Sequence, residues 1–358
     1  RIMSYSTIDK PTDYFNTVLY SGTDSAQAVT GVGFQPDWTW IKCRSHGGNA
    51  SFEHVLTDAV RGVNKTLVTN DTDAETANNA TGYLNIFGSD GFTTAGGGTS
   101  IDAVGGAGRT YASWNWLGAN GTASNSNGSI TSTVSANTTA GFSIVSYTGT
   151  GSAGATVGHG LGATPAMIIV KNRSAAWNWS VYHKDAFTSQ AAPGVLYLNT
   201  TAGKANDTNV WGNSSVTINS TVFSLGDYEG TNLSGGNLIA YCFAQKQGYS
   251  KFGSYVGNGN ADGTFVYTGF KPAFIIVKRS SDTQSWVLWD SKRPGYNQTN
   301  PSLTPNENGA EETRSVDFLS NGFKQRQNNT ATNAASTYIY MAFAENPLVG
   351  SNFVPTTA

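Results

Sequence analysis

The sequence predicts an all-β protein made of three tandem β-sandwich units of jelly-roll-like character, and three observations lead there. Charged residues fill only 12% of the 358 positions, about half the share of an ordinary globular chain, while aromatics reach 12% and glycine occurs 42 times. Such a composition describes short strands joined by polar turns, and no long window carries apolar residues at helical spacing. One pattern of strand, turn and proline also recurs three times along the chain.

Each copy opens on an aromatic strand that ends in a glycine: Leu19-Tyr20-Ser21-Gly22, Ser146-Tyr147-Thr148-Gly149 and Ser254-Tyr255-Val256-Gly257. A turn then leads to Pro36, Pro165 or Pro272, and an apolar strand follows: Trp38 to Lys42, Met167 to Lys171, Phe274 to Lys278. Each lysine stands six positions after its proline in all three copies. Proline cannot donate to a ladder, so it suits a strand entrance. The continuous apolar run suits a strand covered on both faces. Each lysine is expected to mark the exit into solvent, followed by Arg44, Arg173 and Arg279 in surface ion pairs of small worth.

Copies one and three share a hairpin signal, Ser89-Asp90-Gly91-Phe92 and Ser320-Asn321-Gly322-Phe323. Copy two offers the weaker Phe223 to Tyr228. Closing strands run Tyr111 to Trp116, Leu238 to Phe243 and Tyr338 to Phe343, which makes Trp116, Phe243 and Phe343 equivalent and assigns them to a core. The units are expected at 1–118, 141–248 and 249–346, with a tail at 347–358. Residues 119–140, rich in Gly, Ser, Asn and Thr, read as a linker or as an edge strand around Ser129 to Val134. Copies two and three abut and are expected to pack rigidly. Arg1 is not an initiator residue, so an upstream piece is expected.

At this point the chain resembles a known family. Pro11-Thr12-Asp13-Tyr14-Phe15-Asn16-Thr17, Gly31 to Trp38, Asp58-Ala59-Val60-Arg61-Gly62, Gly128 to Gly151, Lys251 to Tyr255 and Tyr338 to Glu345 are similar to an uncharacterised domain of structural, tail-fibre-like proteins of marine and cyanobacterial phages. The resemblance covers nearly the whole chain. It implies a virion location and carries over no catalytic, cofactor or binding residues.

The residues themselves offer little chemistry. The net charge is −2 with no run of either sign, so a nucleic-acid surface is not expected, and no apolar stretch is long enough for a membrane helix. Cys43 and Cys242 read as buried free thiols. Among His46, His54, His159 and His183 no pair has metal-ligand spacing, and His159, between glycines, reads as a surface residue. No nucleophile elbow or phosphate loop is present, so no catalytic residue, cofactor or metal is expected. The turn Asn258 to Gly263 supplies oxygens but lacks the pattern of a calcium loop.

Asp58 and Asp290 take matching places after a strand, followed by Arg61 and Arg293, with His183 in that place in copy two. A pair of carboxylates could serve glycan cleavage, but spread over separate copies they read as structural Asp–Arg contacts. Glu311-Glu312, Asp71, Asp73 and Glu75 read as solvated. Trp179 and Trp286 align with each other and read as packing. Trp177, Trp211 and Trp289, near polar loops, are the candidate glycan contacts. The reading is therefore a virion appendage of fibre or spike type that contacts other virion proteins and a host surface glycan, assembled as a homo-oligomer with the trimer as the usual form. The alternatives are a purely architectural capsid-decoration, collar or tail component, and a glycan-depolymerising spike.

Overall fold

Alternating apolar and polar residues give a strand one buried and one exposed face, whereas unbroken apolar runs need cover on both. The computed structural model realises both kinds in an all-β architecture, 46% strand and 4% helix. It describes residues 5–45, 52–77, 83–97, 103–186, 189, 193–213, 215–294, 296–351 and 355.

The first segment holds β1 (Phe15–Ser21), β2 (Gln27–Thr30), β3 (Trp38–Cys43), β4 (His54–Asp58), β5 (Lys65–Val68), β6 (Thr76–Ala77), β7 (Leu84–Gly88), β8 (Gly91–Thr94) and β9 (Thr110–Trp116). The second holds β10 (Ala123–Asn125), β11 (Ser132–Asn137), β12 (Phe142–Thr148), β13 (Thr156–Gly158), β14 (Met167–Asn172), β15 (Ser180–His183), β16 (Gly194–Tyr197), β17 (Ala205–Asn206), β18 (Val222–Ser224) and β19 (Asn237–Phe243). The third holds β20 (Ser250–Val256), β21 (Phe265–Tyr267), β22 (Phe270–Arg279), β23 (Val287–Asp290), β24 (Thr299–Ser302), β25 (Glu312–Leu319), β26 (Gly322–Gln325) and β27 (Thr337–Pro347).

The large sheets repeat one order: β1-β9-β3-β4, β12-β19-β14-β15 and β20-β27-β22-β23. In each, the closing strand sits between the opening strand and the strand after the proline. The registers match as well, since Trp38 faces Trp116, Met167 faces Phe243 and Phe274 faces Phe343. Residues 119–140 do not hang free. Strands β10 and β11 extend the second sheet, with Ile130 and Val134 buried.

Strands β3 and β14 are buried at every residue, and β22 is buried from Phe274 to Lys278. Their alternate side chains enter different cores. Ile41 and Cys43 join Val29, Leu84 and Phe92 of the small sheet β2-β8-β7. Ile168 and Val170 join Val157 and Phe223 of β13-β18, and Ile275 and Val277 join Val266, Val316 and Phe323 of β21-β26-β25-β24. The opposite faces meet in one cluster drawn from all three segments, including Trp38, Trp40, Trp116, Met167, Ile169, Phe243, Phe274, Ile276 and Phe343.

At its centre the predicted equivalents converge. Ring centroids lie 5.6 Å apart for Trp116–Phe343 and 6.1 Å for Phe243–Phe343, and Trp38 bridges Trp116 at 4.3 Å and Phe243 at 5.9 Å. The apolar inner faces of all three large sheets thus bury one another.

The glycine that closes each opening strand has a steric cause. A Cβ at Gly22, Gly149 or Gly257 would lie 2.2, 2.3 or 2.1 Å from the backbone oxygen of Gly106, Leu233 or Ala334. The chain after the strand therefore crosses too close for any side chain. Two residues earlier, Tyr20, Tyr147 and Tyr255 each donate a hydroxyl proton to a carbonyl: Val104, Thr231 and Thr332. Tyr-x-Gly is a folding motif.

Candidate functional site

Residues with reactive side chains gather at the three junctions where the large sheets meet. Asp58 pairs in register with Trp38, His183 with Met167 and Asp290 with Phe274, so the three occupy one position. All are fully buried. Each reaches into the next segment. The Tyr241 hydroxyl donates to Asp58 Oδ2 at 2.7 Å, and the Trp114 indole N–H donates to Asp290 Oδ2 at 3.0 Å. His183 Nδ1 accepts the Asp185 N–H, so Nε2 carries the proton and donates to the Tyr340 carbonyl at 3.1 Å.

The acceptor site explains the residue. Trp114, Tyr241 and Met341 are equivalent by register, opposite Trp40, Ile169 and Ile276. Where the neighbour offers an N–H or O–H, a carboxylate accepts it. Where it offers methionine, only a backbone carbonyl remains, and a histidine N–H donates to it.

The expected Asp58–Arg61 and Asp290–Arg293 contacts are formed, and they are parts of longer relays. Arg61 Nη1 reaches Glu75 at 3.1 Å, and Glu75 takes two bonds from Arg173 at 2.8 and 2.9 Å. Arg293 binds Asp290 at 2.6 Å and Glu311 at 3.2 Å, and Arg44 Nε meets the same Glu311 at 2.7 Å. Glu75 and Glu311 are thus mostly buried bridges between segments, contrary to the solvated reading, while Asp71 and Asp73 do lie exposed. Burial alone would raise the Glu75 carboxyl, but Arg173 and Arg61 hold it below its ordinary value. Arg279 does not belong to this set. It pairs with Asp282 at 3.1 Å, and Ser280 stands where Arg44 and Arg173 stand.

The lysine exits are overturned. Lys42, Lys171 and Lys278 are fully buried. Lys42 Nζ donates to the carbonyls of Cys43, Phe52 and Asn308, and Lys278 Nζ to those of Thr201, Arg279 and Gln284. Lys171 Nζ donates to Trp177 and Thr72. One carbonyl in each set comes from the neighbouring segment, two residues after an asparagine. Those asparagines, Asn70, Asn199 and Asn306, accept the backbone N–H of His54, Trp179 and Trp286 at 2.9, 2.9 and 2.8 Å. Burial lowers each ammonium to about 8.

Other expected roles shift too. His159 is buried, with Nε2 against the Asn219 carbonyl and Nδ1 accepting the Leu161 N–H, because its turn folds inward under residues 219–222. His54 accepts the Trp40 indole N–H, and burial pushes its pKa well down. His46 lies outside the described residues. Cys43 and Cys242 are buried free thiols. Among the described residues no group of His, Cys, Asp and Glu could hold a metal, and no helix is long and apolar enough to cross a membrane. Asp262 in the Asn258–Gly263 turn pairs with Lys324 at 2.6 Å.

Of the candidate glycan contacts, Trp211 and Trp289 are corrected. Both are fully buried, Trp289 with its indole N–H on the Arg314 carbonyl, so neither can offer a ring face. Trp177 is half-buried, edge-on to Tyr228 at 5.2 Å. Trp179 and Trp286 pack as expected and donate across junctions to Val68 and Tyr197.

An exposed aromatic shelf lies instead on β21. Phe265 and Tyr267 are 43% and 47% exposed while Val266 between them is 6%. The Tyr5 hydroxyl lies 3.3 Å from that of Tyr267 and donates to the Gly269 carbonyl. Lys251 Nζ donates to the Tyr267 carbonyl at 2.9 Å and stands 5.1 Å from its ring centroid. Two shallow grooves of about 440 and 260 Å³ flank the shelf and share Gln245, Lys251 and Tyr267. Sequence reasoning missed this site. An available signal was the alternation of β21, which turns two aromatics outward around one buried valine.

Compared with known proteins, residues 10–347 match a family model described as a domain of unknown function, DUF7483. No curated protein and no solved structure matches the chain.

Proposed function

The chain belongs to the DUF7483 family, and we propose that it is a non-enzymatic structural protein of a bacteriophage virion, built as three tandem β-sandwich units and standing on the particle surface or tail as a fibre- or spike-like appendage. The observation that carries this reading is the closed ring of junctions. The conspicuous carboxylates, histidines and lysines at the repeated positions are spent on holding one segment to the next, so the body is built for rigidity. Asp58 and Asp290, the carboxylates that a depolymerase would need, are fully buried against arginine. The similarity of the quoted segments to phage structural proteins supports the location.

Each unit in this reading packs its large sheet on a small one, and the three large sheets close on each other. One chain thereby makes the cyclic closure that three chains make in a homotrimer, so we propose docking onto other virion proteins rather than obligate trimerisation. Mass spectrometry and a density map of purified particles test the reading. The chain is expected at the particle surface or tail, and its absence from particles overturns the proposal. Placement flat on the capsid lattice selects the purely architectural alternative. Release of reducing ends from host polysaccharide by the purified chain, lost in Asp58→Asn or Asp290→Asn, would overturn the non-enzymatic part.

A further inference from the structure

We propose that the shelf on β21 is a binding site for an acidic saccharide, one bearing carboxylate or sulfate groups, which makes the third segment the host-contacting one. This rests on the appendage reading and adds the site and the ligand chemistry. Strands β2, β13 and β21 pair with Phe92, Phe223 and Phe323 through Val29, Val157 and Val266, so the three valines are equivalent. All three are buried. The residues flanking them are Ala28 and Thr30 in the first segment, Thr156 and Gly158 in the second, and Phe265 and Tyr267 in the third. Folding therefore needs the valine and does not need the aromatics. Two large exposed rings at positions that elsewhere take small residues are a local addition, and exposed apolar surface is retained where it meets something.

The surroundings select the ligand. Ring faces suit the C–H face of a pyranose, and the Gln245 amide and Ser254 hydroxyl of the flanking groove suit its hydroxyls. Lys251 is a further addition, since its register equivalents are Asn16 and Ser143. Among the described residues no carboxylate pairs with it, whereas Lys184 on the far side of the groove is paired with Asp185 at 2.7 Å. An ammonium with no carboxylate partner among the described residues, beside two exposed rings, favours an anionic sugar over a neutral one.

The test is calorimetric titration of the full chain with tetragalacturonate, a sulfated galactan tetrasaccharide and neutral maltotetraose. At least one acidic probe is expected to bind roughly tenfold or more tighter than maltotetraose at low salt, and the two acidic probes separate carboxylate from sulfate recognition. The double variant Phe265→Ala/Tyr267→Thr copies the first segment and so keeps the fold. It should weaken binding about tenfold or more with the thermal midpoint unchanged, and Lys251→Gln should abolish the acidic preference. No binding of any probe, binding untouched by the double variant, or equal affinity for neutral and acidic probes overturns the proposal. So does concentration-dependent self-association that the double variant abolishes, which would make the shelf a contact between copies of this chain. Failure here leaves particle localisation unaffected, and absence from particles with binding intact sinks only the virion reading.

Discussion

Asp58, Arg61, Glu75 and Arg173 join the first and second segments, and Asp290, Arg293, Glu311 and Arg44 join the third to the first in the same way. At the junction between the second and third segments the same four places hold His183, Ala186, Lys204 and Ser280. The backbone fixes this equivalence, because Lys204 N–H bonds to the Ser280 carbonyl as Glu75 bonds to Arg173 and Glu311 to Arg44. The difference between charged and neutral junctions shows how a buried relay changes. Removing one member leaves a buried neighbour with part of its charge uncompensated in a poorly solvated place, and at the third junction all four places differ at once. The junctions also show that the four-membered relay is not indispensable for closure, since the third interface closes without it, through the His183 N–H, the Lys278 and Trp286 donations to Thr201 and Tyr197, and apolar packing.

The largest expected effect comes from breaking one relay. Arg61→Ala leaves Asp58 buried without its counter-ion, while Glu75 keeps Arg173, and should destabilise the chain by about 3–5 kcal/mol in denaturant titration. If the loss is below that of an ordinary surface change, the relays are ornamental and the comparison fails. Next is the reverse error. His183→Asp places a carboxylate against the Tyr340 carbonyl with Ala186 where an arginine would be needed. A loss of about 3 kcal/mol is expected at neutral pH, shrinking on acidification as the carboxyl takes a proton and donates it.

The neutral junction should also leave a mark on acid stability. Burial lowers His183 from 6.5 to about 4, so it is neutral in the folded chain where the unfolded chain already binds a proton. Stability is therefore whole above about pH 6.5 and falls as pH drops toward 4, by about 3 kcal/mol from this residue. His183→Gln should flatten that limb, and His54 and His159, lowered for the same reason, should account for what remains. An unchanged limb would show that His183 is not buried as described. The smallest effect sharpens the contrast between core and shelf: Phe265→Ala/Tyr267→Thr should move stability by less than about 0.5 kcal/mol.

Much of the frame was legible from spacing. Six residues from proline to lysine, three times over, located the central strands, and Trp116, Phe243 and Phe343 were aligned before their rings were seen to meet. Asp58 and Arg61 were legible as a pair because they sit three residues apart at a strand end. Their continuation to Glu75 and Arg173 was not, because that contact crosses between segments distant in sequence. Lysine burial was hidden for the same reason: Asn308, Thr72 and Thr201 lend their carbonyls from other segments, and a backbone oxygen leaves no letter in a sequence. The tryptophans misled because an aromatic near a polar loop reads alike whether its ring turns inward or outward. Trp289 turned inward and Phe265 outward, and strand register alone decides which.

Carrying three segments of like strand order on a single polypeptide has one more consequence. In an assembly of identical subunits any altered codon appears at every interface at once, so no face can specialise without its siblings following. Here a change stays where it arises. One seam carries an imidazole where the other two carry an ion relay, and one segment carries exposed rings on β21 and an ammonium on β20 where the other two carry small or uncharged residues.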